Sequence, residues 1–97
     1  MIQTSQSDGA CIIHVIGQFD LPLREPFLEA FRAARPTQEI VIDLERCTGV
    51  TSFAIGILIA MLEEAGGPGR EIRVVKCSPE ARRVFEIANL HQLLNIS

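Results

Sequence analysis

The sequence predicts an α/β fold with a mostly parallel sheet of four to five strands, an N-terminal antiparallel hairpin, and helices packed on the sheet. Runs rich in β-branched residues alternate with segments of helical periodicity, which is typical of β-α-β units. The run at residues 40–44 is apolar at nearly every position, as in a strand buried on both faces. Because 97 residues suffice for one hydrophobic core but not for two, we expect a single domain over residues 1–97.

The first half of the chain predicts a hairpin followed by a helix. Residues 1–6 alternate weakly, as an edge strand does, and a Ser-Asp-Gly turn separates them from a second strand at residues 10–17. Pro22 and Pro26 bracket the start of the helix, and Pro36 ends it because proline cannot continue helical hydrogen bonding. Helical spacing relates the apolar residues Phe27, Leu28, Phe31 and Ala34.

The central strand at residues 40–44 leads through a polar loop into a second helix. The segment at residues 53–62 is too long for a typical strand, is rich in Ala, Leu and Met, and is followed by glycines. Thr51 and Ser52 stand at the start of this helix. Groups there lie at the positive end of the helix dipole and at the carboxyl end of a strand, where open α/β sheets place their functional sites.

The second half predicts a turn at residues 66–69, a strand at residues 71–76 and a third helix. Ser78 can accept a hydrogen bond from the first helical turn. Pro79 suits that turn because proline has no N–H, and an N–H there would have no acceptor within the helix. Residues 90–96 are apolar enough for a last short strand or a turn. The buried stripe of the third helix is predicted to comprise Ala81, Val84, Phe85 and Ala88.

A rotation of about 100° per residue divides the central helix into faces. The face directed away from the sheet carries Ser52, Gly56, Ile59 and Glu63. The opposite face carries Ala54, Leu58, Met61, Leu62 and Ala65, and one flank carries Phe53, Ile57, Ala60 and Glu64. This helix is more apolar than packing on a sheet requires, so either neighbouring loops or a partner protein must cover Phe53 and Ile59. The pattern favours neither of these two over the other.

Composition and motifs argue against several classes of protein. The net charge is −3 and the basic residues are scattered, which argues against a surface for nucleic acid or anionic membranes. The chain lacks a phosphate-binding loop, a zinc-protease motif and a nucleophile elbow, so we expect no enzyme, cofactor or metal site. Without a signal peptide or an apolar run long enough to span a bilayer, the expected location is the cytoplasm.

The cysteines and histidines are interpreted as structural residues, and two aspartates have both a functional and a structural interpretation. The three cysteines are widely spaced beside apolar runs, which predicts small buried hydrophobes in a reducing compartment. His14 and His91 have no acidic residue at a useful spacing and are interpreted as structural. Asp20 and Asp43 lie near strand ends that should point towards Thr51 and Ser52 if the sheet is parallel. The alternative for Asp20 is a turn residue. The alternative for Asp43 is a carboxylate that is bound to loop amides.

Four stretches of the chain resemble a known family when they are taken in order. They are Gly-Gln-Phe-Asp at residues 17–20, the strand at 40–44, Thr-Ser-Phe-Ala-Ile-Gly at 51–56 and the helix start at 78–85. Together they resemble the STAS domain family, of the anti-sigma factor antagonist type, over nearly the whole chain.

The resemblance implies a regulatory binding protein in a partner-switching pathway. Its partner would be an anti-sigma factor that is also a serine kinase with a histidine-kinase-like ATPase domain, and a serine phosphatase would be a further partner. By the position of the family motif, Ser52 is the candidate phospho-acceptor and Thr51 is the second choice. The binding surface that the family implies corresponds here to Asp20, Thr51, Ser52, Phe53, Gly56, Ile59, Ala60 and Glu63.

The chain departs from the family motif, which usually reads Asp-Ser-[Ser/Thr/Ala]-Gly-Leu-Gly. Gly56 keeps the last glycine, whereas Thr51 replaces the aspartate and Phe53 and Ala54 replace the next two residues. These departures leave an alternative open. The chain would then be a phosphorylation-independent STAS subunit of a lipid-transport ABC complex or of a larger signalling assembly.

Overall fold

Helices and strands alternate along the chain as predicted. The computed structural model describes residues 1–66 and 70–97, so the predicted turn at residues 66–69 lies outside them except for Gly66. Short 3-10 turns form at Leu21–Leu23 and Leu90–Gln92. The other elements are β1 (Ile2–Ser7), β2 (Ala10–Val15), β3 (Gly17–Phe19), α1 (Arg24–Ala33), β4 (Glu39–Asp43), β5 (Cys47–Val50), α2 (Ser52–Glu64), β6 (Ile72–Val75), α3 (Pro79–Ile87) and β7 (Asn95–Ile96).

The main sheet has five strands in the order β1-β2-β4-β6-β7. β1 is antiparallel to β2, and the remaining pairs are parallel. This confirms the predicted mixed sheet with an N-terminal hairpin. β3 and β5 form a separate two-stranded parallel sheet, which leads the chain from the main sheet to α2.

The hydrophobic core lies between the helices and one face of the main sheet. Alternate residues of β2 are buried, as expected for a strand with one face covered. The opposite face carries Ile12, Val41 and Val75 and borders a shallow cavity of about 470 Å³. The core combines strand residues with helix residues, and its largest members include Phe27, Leu28, Leu58, Met61, Phe85, Ile13, Ile40 and Ile42.

Local signals at the helix ends act as the sequence predicts. The Ser78 hydroxyl oxygen accepts the N–H of Ala81 at 3.1 Å, and Pro79 is the first residue of α3. Gly66 follows the end of α2 with a φ of +79°, a conformation that residues with a Cβ rarely adopt. The chain therefore leaves α2 without strain.

Several details of the fold differ from the sequence-based expectations. The second strand ends at Val15, because the chain turns at Gly17 into a separate strand. The loop before α2 contains the strand Cys47–Val50, although Gly49 within it has low strand propensity. Ile57 is 1% exposed, since it lies only about 40° around the helix from the buried Met61. None of the helices in the described ranges is long and apolar enough to cross a membrane.

An ion pair joins α1 to α2 at the protein surface. Arg32 donates two hydrogen bonds to the Glu64 carboxylate, at 2.8 and 2.7 Å. These hydrogen bonds hold the pKa of Glu64 below its ordinary value. Because the folded-state pKa is lowered, the pair stabilises the fold above the unfolded-state pKa of the carboxyl group. That contribution is lost as the pH falls through the lower, folded-state value.

The two faces of α2 should respond differently to truncation. We expect Leu58→Ala to lower the free energy of unfolding by about 2–5 kcal/mol, because Leu58 is fully buried and its loss leaves a cavity. Ile59→Ala should cost no more than about 1 kcal/mol, because that side chain is 43% exposed. Urea denaturation followed by circular dichroism measures both, and equal losses would show that Ile59 is covered within the domain.

Candidate functional site

The small second sheet brings two distant loop residues together at the start of α2. β3 runs parallel to β5, with Phe19 opposite Val50 at the end of the pair. Gly17 has a φ of +88°, which lets the chain turn out of the main sheet without the strain that a Cβ would bring. Because both strands end at the same edge, the residues that follow them, Asp20 and Thr51, meet.

Asp20 and Thr51 form a hydrogen-bonded pair. Thr51 Oγ1 donates to Asp20 Oδ1 at 2.9 Å, while the Phe19 carbonyl oxygen lies at a longer 3.3 Å. The same Asp20 oxygen accepts the N–H of Leu21 at 2.8 Å and thereby caps the following 3-10 turn. The Thr51 N–H also donates to the Phe19 carbonyl, at 3.2 Å. Backbone and side chain together therefore hold the loop against the start of α2.

The two hydroxyl residues at the helix start have different surroundings. Thr51 occupies the N-cap position, yet its side chain makes no capping hydrogen bond. Its carbonyl accepts the N–H of Ala54 at 3.0 Å instead. Ser52 is exposed, and its hydroxyl takes no part in the hydrogen bonds formed among residues 1–66 and 70–97. The first turn of α2 has no acidic residue, so Asp20 supplies the negative charge at this helix end.

The outer face of α2 continues as an exposed, largely apolar surface. Phe53 is 52% exposed and Ile59 is 43% exposed. Gly56 is exposed, and a Cβ at its position would meet no atom within 4 Å. Ala60 is half-buried, and Glu63 is exposed towards the end of the helix. With Ser52, these positions fall within an arc of about 120°, so the structure places the predicted surface residues on one side of the helix.

Leu21 is an exposed apolar neighbour that the sequence analysis missed. It follows Asp20 directly, is 49% exposed, and belongs to a 3-10 turn that contacts α2. The available signal was an aspartate followed by Leu-Pro, a pattern of a capped turn that can leave the next side chain outside. Because of this turn, the exposed apolar surface extends from the helix to the loop at its start.

Asp43 does not reach the start of α2, so the expectation that it would point there was wrong. It lies on the face of the main sheet opposite to the helices. One of its oxygens accepts the Glu45 N–H at 2.8 Å, as in the alternative prediction of a carboxylate bound to loop amides. The other oxygen is 3.5 Å from His14 Nδ1 and 3.9 Å from Lys76 Nζ. His14 Nε2 lies 2.9 Å from Ser5 Oγ. These contacts cross neighbouring strands, which is why sequence spacing did not reveal them.

This cluster on the sheet is not arranged for acyl transfer or for metal binding. The main-chain N–H groups of β2 and β4 beside it are engaged in strand pairing, so they cannot form an oxyanion hole. Within residues 1–66 and 70–97, no group of three or more His, Cys, Asp and Glu side chains is placed to hold a metal ion. Cys11 is buried, while Cys47 and Cys77 are half-buried, and all three are free thiols.

Comparison with known proteins agrees with this architecture. The family model described as "Mlab, STAS domain" matches residues 2–95. A STAS-domain containing protein of Pseudomonas aeruginosa is 36% identical over 86 residues, which cover 88% of this chain and 85% of that protein.

Two solved structures show the same fold. An anti-sigma factor antagonist from Mycobacterium paratuberculosis has a TM-score of 0.79 and 22% identity, with 99% of this chain and 83% of that chain covered. The phosphorylated form of the Bacillus cell fate determinant SpoIIAA has a TM-score of 0.68 and 18% identity, with 100% and 91% covered. At such identities the likeness concerns the fold. Because the family model spans nearly all residues and the Pseudomonas relative is similar over most of both chains, this chain belongs to the STAS domain family.

Proposed function

We propose that this STAS domain is an anti-sigma factor antagonist that acts by partner switching. In its unphosphorylated form it binds an anti-sigma factor, which is also a serine kinase, through the N-terminal part of α2. Phosphorylation of Ser52 releases that partner, and a serine phosphatase restores binding. The observation that carries this proposal is an exposed Ser52 hydroxyl at the edge of an exposed apolar helix face.

The similar solved structures support this class of function. One of them is an anti-sigma factor antagonist, and another is a member of the same fold in its phosphorylated form. In this reading the domain is a binding protein and a kinase substrate, so ATP and magnesium belong to the partner. The histidine-kinase-like ATPase domain of the partner comes from the family resemblance.

The surroundings of the two hydroxyls favour Ser52 over Thr51 as the acceptor. Thr51 Oγ1 is half-buried and donates to Asp20, so phosphorylating it would break this bond and place the new charge against a carboxylate. Ser52 is exposed and needs no such rearrangement. A kinase can therefore reach Ser52 without opening the loop.

Phosphate at Ser52 should act on the complex more than on the fold. A phosphoserine adds a charge of about −1.5 to −2, and the amino end of a helix favours negative charge. Within the domain, repulsion from Asp20 opposes this attraction, so the two effects partly offset each other. In a complex the same charge would be buried against apolar side chains, which is costly without a basic partner group.

The apolar surface supplies the contact area for the partner. Phe53 and Ile59 expose about half of their side chains, and Leu21 does the same beside them. Large side chains of this kind act as anchors in protein interfaces, and a small residue such as Gly56 allows close approach. Phe53 departs from the family motif, but as an exposed aromatic residue it suits an interface.

Phe53 also favours a second candidate function. In this second candidate, the bulky exposed ring of Phe53 next to Ser52 in the chain would keep a kinase active site away. The same apolar surface would then hold a permanent partner, as in a phosphorylation-independent subunit of a lipid-transport ABC complex or of a larger signalling assembly. In that case a charge at residue 52 would not be part of a signal, and Ser52 would remain unmodified.

The charge at residue 52 provides the test. Wild type, Ser52→Ala and Ser52→Asp serve as baits in native lysate, with mass spectrometry of captured proteins and of the bait. We expect wild type and Ser52→Ala to capture a protein with a histidine-kinase-like ATPase domain. Ser52→Asp should capture at least about tenfold less, because the carboxylate must be buried in the interface. Phosphate on Ser52 of recovered wild type would identify the acceptor.

Ser78→Asp is the matched control for this experiment. Ser78 also lies at the amino end of a helix, so the substitution adds the same charge in a comparable setting on α3. It should capture the partner as well as wild type does. Partner switching is refuted if Ser52→Asp retains full binding, and a transporter subunit captured equally by every bait would establish the second candidate.

The bond between Thr51 and Asp20 can be measured by a double-mutant cycle. Thr51→Val keeps the shape of the side chain but removes its donor, and we expect it to lower the free energy of unfolding by about 1 kcal/mol. Asp20→Ala removes the acceptor and also the cap on Leu21, so only the cycle isolates the pair. Urea denaturation of the four proteins should return a coupling of about 0.5–1.5 kcal/mol. A coupling of zero would mean that the Thr51 hydroxyl is free.

A further inference from the structure

The outer strand β1 presents an unprotected edge. It runs for six residues, all exposed except the half-buried Ile2, and its pairing with β2 has no bulge. Edge strands are usually protected by charged residues, proline, bulges or short length. β1 reads Ile-Gln-Thr-Ser-Gln-Ser and contains none of the protecting residues, whereas the opposite edge strand, β7, has two residues.

The hairpin geometry identifies which main-chain groups of β1 point outward. Met1 and Ile16 exchange two hydrogen bonds, at 2.8 and 2.6 Å, so they form a hydrogen-bonded pair. Such pairs alternate along an antiparallel ladder, which assigns Gln3, Ser5 and Ser7 to the β2 side. The N–H and C=O groups of the intervening residues therefore point away from the sheet. These residues are Ile2, Thr4 and Gln6.

We propose that β1 pairs antiparallel with β1 of a second copy of this chain, about a two-fold axis at Thr4. This register places Ile2 opposite Gln6 of the other copy, and Thr4 opposite its equivalent. About six main-chain hydrogen bonds can form, two for each of the three pairs. The two five-stranded sheets then join into one continuous sheet, with the helices of both copies on the same side.

Charge and symmetry favour a second copy of this chain as the partner of β1. In a homodimer the edge strand of one copy faces the same strand of the other copy, so like charges on this strand would repel each other. β1 carries only neutral side chains, so two copies of it can pair without charge repulsion. None of the residues proposed for partner binding lies on β1. The dimer therefore leaves the outer face of α2 accessible, and its test is independent of the proposed function.

Register-specific cross-linking provides the first test. In the proposed dimer Gln3 lies opposite Ser5 of the other copy in a non-hydrogen-bonded pair, with Cα atoms about 4.5 Å apart, a separation that a disulfide can span. Gln3→Cys and Ser5→Cys are made in a background in which Cys47 and Cys77 are replaced by serine. Mixing the two variants under mild oxidation should give a disulfide-linked dimer on a non-reducing gel. Each variant alone should give far less.

Sedimentation of the full chain provides the second test. Wild type should show a monomer–dimer equilibrium. Thr4→Pro should raise the dimer dissociation constant roughly tenfold or more, because it removes the outward N–H at the axis in both copies. Thr4→Val is the matched control, since it keeps the N–H and should dimerise like wild type. Thermal denaturation verifies that both variants are folded, as the Thr4 N–H is not used in the hairpin.

The possible results separate the proposal from its rivals. Wild type that remains monomeric at the highest attainable concentration overturns it. Equal cross-linking of the single variants and of their mixture overturns the register, and therefore the dimer as proposed. A dimer that Thr4→Pro leaves unchanged must use another surface. If β1 binds an extended segment of a different protein, wild type stays monomeric and the mixed cross-link does not form.

Discussion

The parallel pairing of β3 with β5 is the constraint on which the candidate functional surface depends. Neither strand belongs to the main sheet, and each is short. Their pairing nevertheless fixes where the chain enters α2, because Asp20 and Thr51 follow the two strand ends directly. The Asp20–Thr51 hydrogen bond then holds the loop beside the helix. Without this small sheet, the exposed hydroxyl and the exposed apolar side chains would have no fixed relation to each other.

Packing determines how much of α2 remains available for binding. An arc of Ala54, Ile57, Leu58 and Met61 is buried, so this side of the helix is committed to the core. Outside this arc, Phe53 and Ile59 are about half exposed, although polar residues would be expected at such positions. Exposed apolar side chains that adjoin each other are typical of surfaces that bind other proteins. The distribution of burial on a single helix thus separates its structural side from the side proposed to bind a partner.

The parts of the fold that the sequence predicts are those encoded by local signals. The Ser78 cap and the alternation of strands and helices depend on residues that are neighbours in the chain, and both are confirmed. Pairings between distant residues carry no comparable signal. The short strand at Cys47–Val50 forms by pairing with the distant strand β3, and Asp43 contacts His14 on the neighbouring strand β2. At the site, helical periodicity predicts the outer face of α2. Leu21 joins this surface because its 3-10 turn contacts α2, a tertiary contact that periodicity does not reveal.

Thr51 changes the electrostatics of the proposed switch without removing it. The family motif places an aspartate before the acceptor. Here Thr51 stands at that position and donates a hydrogen bond to Asp20, so one carboxylate instead of two lies at the positive end of α2. The unmodified surface is therefore less negative than that motif implies, which suits a binding face built from Phe53 and Ile59. A phosphate on Ser52 then supplies most of the negative charge at this end of the helix. In the proposed switch, the partner would thus distinguish an apolar, weakly charged surface from a strongly anionic one.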